Sequence, residues 1–309
     1  MVVIMRNVFL VVIAVLMVGC SKGEDVSTTT PTISFTIPLK YIGDKPFLLT
    51  SPIITSNSAG VFMFTSSNTS VATISGNTVT ILSVGTTEIT VTQVAFGSFI
   101  EHSEKAVLVV ENPKPITDID GNVYETIVIG NQTWMKTNLN VSNYKDGTPI
   151  PEVTDPAEWA TLTTGAWCYY DNDPEKGKLY GKLYNWYAVN DKRGLAPTGT
   201  SIPTDAEWTT LTNFIGSEAG GKMKKSGTAN WSSPNKDATN STGFTGLPGG
   251  YFISNGGGYF IGDYGYWWSS TSNIDVTMAW NRSLNFNSGI VCRSYDAKKY
   301  GFSVRCIKK

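Results

Sequence analysis

The sequence predicts an all-β sandwich followed by an α+β domain, and three observations predict it. Residues 32–111 are rich in Thr, Ser, Val and Ile, in short runs that alternate apolar and polar with the period of a half-buried strand. The composition then changes near residue 115: all nine tryptophans lie at or beyond Trp134, and Tyr41 alone of the tyrosines precedes Tyr124. Past that change, the segment from Thr204 to Gly216 carries a full helix specification. A chain of 309 residues is long enough for two such domains, each with its own core.

From the start of the chain, Arg6 precedes an apolar run, Val8 to Val18, that is too short to cross a bilayer and suits the core of a signal peptide. The run ends in Leu16-Met17-Val18-Gly19-Cys20, which is similar to a bacterial lipobox. Residues 1–19 are therefore expected to be removed, with Cys20 lipidated and residues 20–31 forming a polar tether. Ser21-Lys22-Gly23-Glu24-Asp25 resembles the acidic export signal that carries lipoproteins of the Bacteroidetes to the outer face of the outer membrane. The expectation is an outer membrane lipoprotein exposed at the cell surface. The plain alternative is an ordinary secretory leader with an incidental cysteine and a solvated linker.

Within 32–111 the alternating runs are 33–37, 79–81, 88–92 and 107–110, separated by Gly, Asn and Ser turns, as in an antiparallel sandwich. Pro113 and Pro115 then mark a linker, because a proline offers no amide to continue the last strand.

The second domain, 116–309, opens with a hairpin: residues 123–129 alternate, Gly130-Asn131-Gln132 turns, and Thr133-Trp134-Met135 returns. A short helix is expected after Asp155, with Pro156 at its first position, Glu158 in the first turn, and Trp159 and Leu162 three apart. Residues 171–177 (DNDPEKG) read as an Asx-type turn fixed by Pro174. A second helix is expected over 181–189, with Leu183, Trp186 and Tyr187 on one face. The third helix, 205–215, has a capping box in Thr204 and Glu207, an apolar stripe of Trp208, Leu211, Phe214 and Ile215, and Gly216 to stop it. A long Gly-, Asn-, Ser- and Tyr-rich stretch follows, and such irregular length in a compact domain marks functional surface.

Four segments carry a resemblance: DIDGNVYETIVIGNQTWMKTNL (118–139), YGKLYNWYAVNDKRGLAPTGTSIPTDAEWTTL (180–211), GYWWSST (265–271) and YGFSVRC (300–306). In this order they resemble the Fibrobacter succinogenes major paralogous domain, from about Ile116 to the end of the chain. That family is similar to C-type-lectin-like folds, and PTDAEW and GFSVR echo the formylglycine-generating group. One departure stands out: where family members often carry Gly-Trp-His before the proline, this chain has Gly199-Thr200-Ser201-Ile202. The segment 66–93 resembles a bacterial Ig-like group 2 domain, which implies a spacer or stalk. The fold class expected is thus an all-β Ig-like sandwich over 32–111 followed by an α+β C-type-lectin-like domain over 116–309.

Composition excludes several chemistries. Net charge is −1 with a pI near 5.9, and no basic stripe appears, so neither nucleic acid nor a polybasic hold on a membrane is expected. The sole histidine is His102, in the first domain, which rules out a Ser-His-Asp triad or a histidine metal site in the second. Cys292 and Cys306 lack the surroundings of the formylglycine-generating cysteine pair. The carboxylates Asp171, Asp173, Glu175, Asp237 and Asp263 are candidates for a glycosidase pair, but the first three read as turn formers. Ser233-Pro234-Asn235-Lys236-Asp237 and Asn281 resemble lectin calcium motifs loosely, with Ser233 and Arg282 standing where acids would bind the ion. No cofactor and no catalytic residue is expected, a structural calcium in the 171–177 loop being the one ion considered. A bridge between Cys168 and Cys306 is expected, with two buried free thiols as the alternative.

The positive signal is aromatic: Trp231, Tyr251, Phe252, Tyr259, Phe260, Tyr264, Tyr266, Trp267 and Trp268 lie among glycines and amides. Trp267 and Trp268 are expected in the core. Tyr251, Tyr259, Tyr264, Asp263 and Asn281 are the expected ligand-binding set, since rigid aromatic faces with polar tips suit sugar or protein surfaces. The function expected is a non-enzymatic, lipid-anchored surface protein that binds an extracellular glycan or protein. A structural envelope protein and a carboxylate-based hydrolase are the alternatives.

Overall fold

The alternating runs of the first half form strands β1 (Ile33–Phe35), β2 (Lys40–Tyr41), β3 (Phe47–Leu48), β4 (Ile54–Ser56), β5 (Phe62–Ser66), β6 (Ala72–Ser75), β7 (Thr78–Ile81), β8 (Gly85–Gln93) and β9 (His102–Glu111). The computed structural model describes residues 27–253 and 257–309; the leader and Cys20 lie outside them. The strands assemble into a four-stranded sheet in the order β2-β9-β8-β5, a three-stranded sheet β3-β7-β6, and the pair β1-β4. On β8 the inward positions are Thr87, Ile89, Val91 and Gln93, a strict period of two. Ile89 and Val91 join Phe35, Ile54, Val79, Leu108 and Val110 in one core, each full burial being worth about 1.5–3 kcal/mol. Gln93 ends the row without an orphaned amide, because its Nε2 donates to the Ser58 and Gly60 carbonyls and its Oε1 accepts from Ser56 Oγ.

After Pro115 come β10 (Ile116–Thr117), β11 (Val123–Tyr124), β12 (Thr126–Ile129) and β13 (Gln132–Met135). The strand expected over 123–129 is therefore split. The Asp118 carboxylate accepts from the Asp120 and Asn122 amides, from Asn122 Nδ2, and from Tyr124 Oη at 2.6 Å, which folds 118–122 into a turn and pairs Val123 and Tyr124 with β10. The β12–β13 hairpin turns at Gly130, where φ is +62°.

Helix α1 (Pro156–Thr161) is capped by Asp155, which accepts from the Ala157 and Glu158 amides. Next come β14 (Trp167–Cys168), a 3-10 turn at Tyr170–Asn172, α2 (Pro174–Tyr180), β15 (Leu183–Tyr184) and α3 (Trp186–Val189). Two expectations change here. The 171–177 segment is more than a turn, since Asp173 caps α2, accepting from the Glu175 amide. The helix expected over 181–189 is shortened: Gly181 at φ +76° ends α2, Leu183 and Tyr184 pair with Cys168 and Trp167, and only then does Asn185 cap α3. Pairing within a sheet overrode the helical spacing of Leu183 and Trp186.

The chain continues through β16 (Thr200–Ser201), α4 (Asp205–Ile215), α5 (Ala219–Met223), β17 (Tyr251–Ile253), β18 (Gly257–Tyr259), β19 (Tyr264–Ser272), β20 (Met278–Asn285), β21 (Cys292–Ala297) and β22 (Ile307–Lys308). Helix α4 has both halves of its capping box, Thr204 Oγ1 accepting from the Glu207 amide and Glu207 Oε2 from the Thr204 amide. Strand β22 lies between β13 and β16 in the sheet β12-β13-β22-β16, and β19-β20-β21 form a second sheet.

Adjacent tryptophans on β19 lock these layers together. Trp267 enters one core with Trp134, Trp208, Trp231 and Phe244, and Trp268 enters another with Tyr184, Trp186 and Phe302. Consecutive strand residues face opposite sides, so both can be core only where the sheet is covered on both faces. The guanidinium of Arg305 is buried beside Phe244 and Trp267, donating to Asn138 Oδ1 and the Phe244 carbonyl, and burial lowers its pKa to about 9.

The expected bridge between Cys168 and Cys306 is not formed. Both thiols are free and buried in separate clusters, where they fill space as small hydrophobes. Burial pushes the Cys306 thiol up to about 12 and raises Cys168 as well. Among the described residues, no helix is long and apolar enough to cross a membrane.

Candidate binding groove

Period-two alternation gives the sheet β19-β20-β21 two different faces. One face presents Tyr264, Tyr266 and Trp268 from β19, Asn281, Ser283 and Asn285 from β20, and Cys292, Ser294 and Asp296 from β21, as the register Tyr266↔Ser283↔Cys292 requires. The other presents Trp267, Arg282 and Arg293, which pack toward α4. There Asp205 accepts from Arg282 Nη1 at 2.7 Å and from Arg293 Nη2 at 2.9 Å, and Arg293 lies 3.6 Å above the Trp280 ring.

The first face is partly roofed by the β17–β18 hairpin and the segment around Tyr300. Backbone bonds fix that roof: Phe252 and Gly301 exchange amide–carbonyl bonds at 3.0 and 2.8 Å, and the Gly250 amide donates to the Tyr264 carbonyl. The result is an open groove of about 410 Å³ lined by Tyr251, Tyr264, Tyr266, Tyr300 and Phe302 on its aromatic side, and by Ser283, Asn285, Ser288, Cys292, Ser294 and Asp296 on its polar side. Its volume lies within the range of small-ligand sites.

The rings form one connected set. Tyr251 stacks on Tyr259 at 5.9 Å and on Tyr300 at 6.1 Å, and meets Tyr266 edge-on at 5.1 Å. Tyr266 stacks on Phe302 at 4.9 Å, and Phe302 packs at a tilt against Trp268 at 4.3 Å, so the groove wall continues into the core. Burial raises the pKa of Tyr251 and Tyr266, keeping both phenols neutral and able to donate. The far wall is tied down by Lys224, whose buried ammonium donates to the carbonyls of Lys236, Asn285 and Ser288 at 2.8, 2.9 and 2.9 Å. Burial lowers its pKa to about 8.

Of the expected binding residues, Tyr251 and Tyr264 line the groove and Tyr259 buttresses Tyr251. Asn281 lies fully buried beneath it, its Nδ2 donating to Asp296 Oδ2 at 2.8 Å and its Oδ1 left without a partner. Asp263 is absent from the lining; its backbone closes the turn before β19, with its amide donating to the Phe260 carbonyl and its carbonyl accepting from Phe286. Trp231, counted among the loop aromatics, is core, its Nε1 bonded to the Gly246 carbonyl at 3.0 Å.

Sequence reasoning counted Tyr266 in the aromatic signal but left it out of the binding set, and it missed Ser283, Asn285, Ser294, Asp296 and Tyr300. The available signal was the alternation Asn281-Ser283-Asn285 and Cys292-Ser294-Asp296, two short polar rows that mark one strand face. In the 171–177 segment the acids have local roles: Asp171 pairs with Lys176 at 2.6 Å, Asp173 caps α2, and Glu175 pairs with Lys178 at 2.6 Å. Among the described residues, no group of three or more His, Cys, Asp or Glu is placed to hold a metal ion.

No curated protein and no solved structure matches the chain. The profile of the Fibrobacter succinogenes major domain matches residues 127–308, from the β12–β13 hairpin through the capped helix α4 and the groove strands to β22. With more than half of its residues in that match, the chain belongs to the Fibrobacter succinogenes major domain family.

Proposed function

We propose that this is a non-enzymatic binding protein of the cell surface, and that the groove on β19-β20-β21 takes a carbohydrate. In this reading Cys20 carries the lipid anchor in the outer membrane, an Ig-like domain over 32–111 is the stalk, and a C-type-lectin-like domain is the head. The observation that carries it is the pairing of a connected tyrosine wall (Tyr251, Tyr264, Tyr266 and Tyr300) with a row of serine, asparagine and aspartate groups across one groove. Sugar rings present an apolar C–H face and a rim of hydroxyls, and such a groove offers a surface for each. Among the described residues, Asp296 is the only carboxylate in the lining, whereas carboxylate-based glycoside hydrolysis needs a pair, and this favours binding over turnover.

A glycan array probed with the purified full-length protein tests the assignment. Selective binding that disappears in a Tyr251→Ala/Tyr264→Ala variant is the expected result; binding that survives in that variant removes the groove from the reading. Protease shaving of intact cells tests the topology, with a protected head assigning the protein to the periplasmic side.

A further inference from the structure

The groove holds one charged side chain, and among the described residues no ion pair includes it. Asp296 accepts from Asn281 Nδ2 and joins none of the salt bridges. Nearby cations are turned to other partners. Lys298 Nζ donates to the Val276 carbonyl at 2.7 Å and sits 4.3 Å over the Trp186 ring, Lys299 reaches the Ala160 carbonyl, and Arg293 is engaged with Asp205 on the opposite face. Burial raises the Asp296 pKa, as expected of a carboxylate taken from water without a counter-ion. The walls around it are phenol rings, whose faces are electronegative and attract cations.

We propose that the groove recognises a primary ammonium group on its ligand, that of an unacetylated amino sugar, with Asp296 as the counter-ion and Tyr251, Tyr266 and Tyr300 as the surrounding aromatic walls. This rests on the reading of the groove as a carbohydrate site. The ammonium is assigned as primary because the Asp296 carboxylate accepts from N–H donors, which a quaternary ammonium lacks. The remaining lining, Ser283, Asn285 and Ser294, suits the hydroxyls of the same sugar.

The test is calorimetric titration of the full-length protein with a glucosamine tetramer and with its fully N-acetylated counterpart, repeated with Asp296→Asn. The glucosamine tetramer should bind at least roughly tenfold more tightly, and Asp296→Asn should abolish that preference. Thermal melts should show Asp296→Asn at least as stable as the parent, separating lost recognition from lost fold. If both tetramers bind equally, or the preference survives Asp296→Asn, the ammonium assignment falls while the carbohydrate reading stands. If neither binds, the ammonium assignment falls, and the glycan array decides the carbohydrate reading. A lysine amide binding as tightly as the glucosamine tetramer also overturns the sugar assignment.

Discussion

Asn281 and Asp296 meet diagonally across β20 and β21, and the 2.8 Å bond from Asn281 Nδ2 to Asp296 Oδ2 is the carboxylate's one side-chain hydrogen bond among the described residues. Burial raises the Asp296 pKa and this bond lowers it, with burial the larger effect. Asn281→Ala should therefore raise the Asp296 pKa further. A carboxyl group whose folded pKa lies above its unfolded value adds stability at low pH that is lost as pH rises through the folded pKa. The variant should accordingly lose more stability than the parent between acidic and neutral pH. Carbon-detected NMR titration of Asp296 together with melts across that range checks both; an unmoved Asp296 titration counts against the pairing.

Asp205 ties α4 to the back of the groove sheet through Arg282, whose side chain is 3 % exposed, and Arg293, whose side chain is 50 % exposed. Asp205→Ala leaves the buried Arg282 without its counter-ion and should cost about 3–5 kcal/mol in denaturant unfolding. Arg293→Ala should cost about 1 kcal/mol or less, because water screens its half of the network. Equal losses would show that the buried pair is not the dominant link.

The Asp191 pKa is held down to about 2, chiefly by the hydrogen bonds from Arg193, which also lies 4.0 Å over the Tyr144 ring. Its ordinary value is near 3.8, so the folded state binds its proton less readily than the unfolded chain. The stability this supplies is present above pH 4 and is lost as pH falls toward 2. Asp191→Asn should flatten the acid limb of the melting curve there; an unchanged limb would place the acid sensitivity elsewhere.

Cys292 is exposed in the groove, while Cys168 and Cys306 are buried. A thiol reagent applied to the native protein should modify Cys292 first, with the other two reacting only on unfolding. Bulky modification of Cys292 should also block ligand binding by filling the polar side of the groove. Peptide mapping of the modified sites reads the first outcome, and titration of the modified protein reads the second.

Local chemistry was legible in the sequence, and long-range pairing was not. The α4 capping box of Thr204 and Glu207, the Asp155 cap and the Gly130 turn each depend on residues within a few positions, and all are present. The strand at Leu183–Tyr184 depends on Trp167–Cys168, some fifteen residues back, which the helical spacing of 181–189 does not reveal, and the break at Glu125 follows from the Asp118 turn, which the alternation over 123–129 concealed. For the groove, the tyrosines were visible as an unusual density of aromatics. Asp296 was hidden because its importance arises from the missing counter-ion, a property of the assembled sheet. The cysteines were misjudged for a related reason: strand-like surroundings are shared by bridged and buried thiols, and spacing does not tell them apart.

The alternation along β19, β20 and β21 also bears on how such a domain can diversify. Ser283 and Ser294 occupy one parity of their strands, while Arg282 and Arg293, which anchor the sheet to α4, occupy the other. A single-residue insertion would exchange the two sets, driving arginines into the groove and serines against the helix. Point substitutions on the groove parity leave the anchoring parity untouched. Specificity can thus be rewritten one position at a time on an unaltered frame, whereas changes of length within these strands are closed to it.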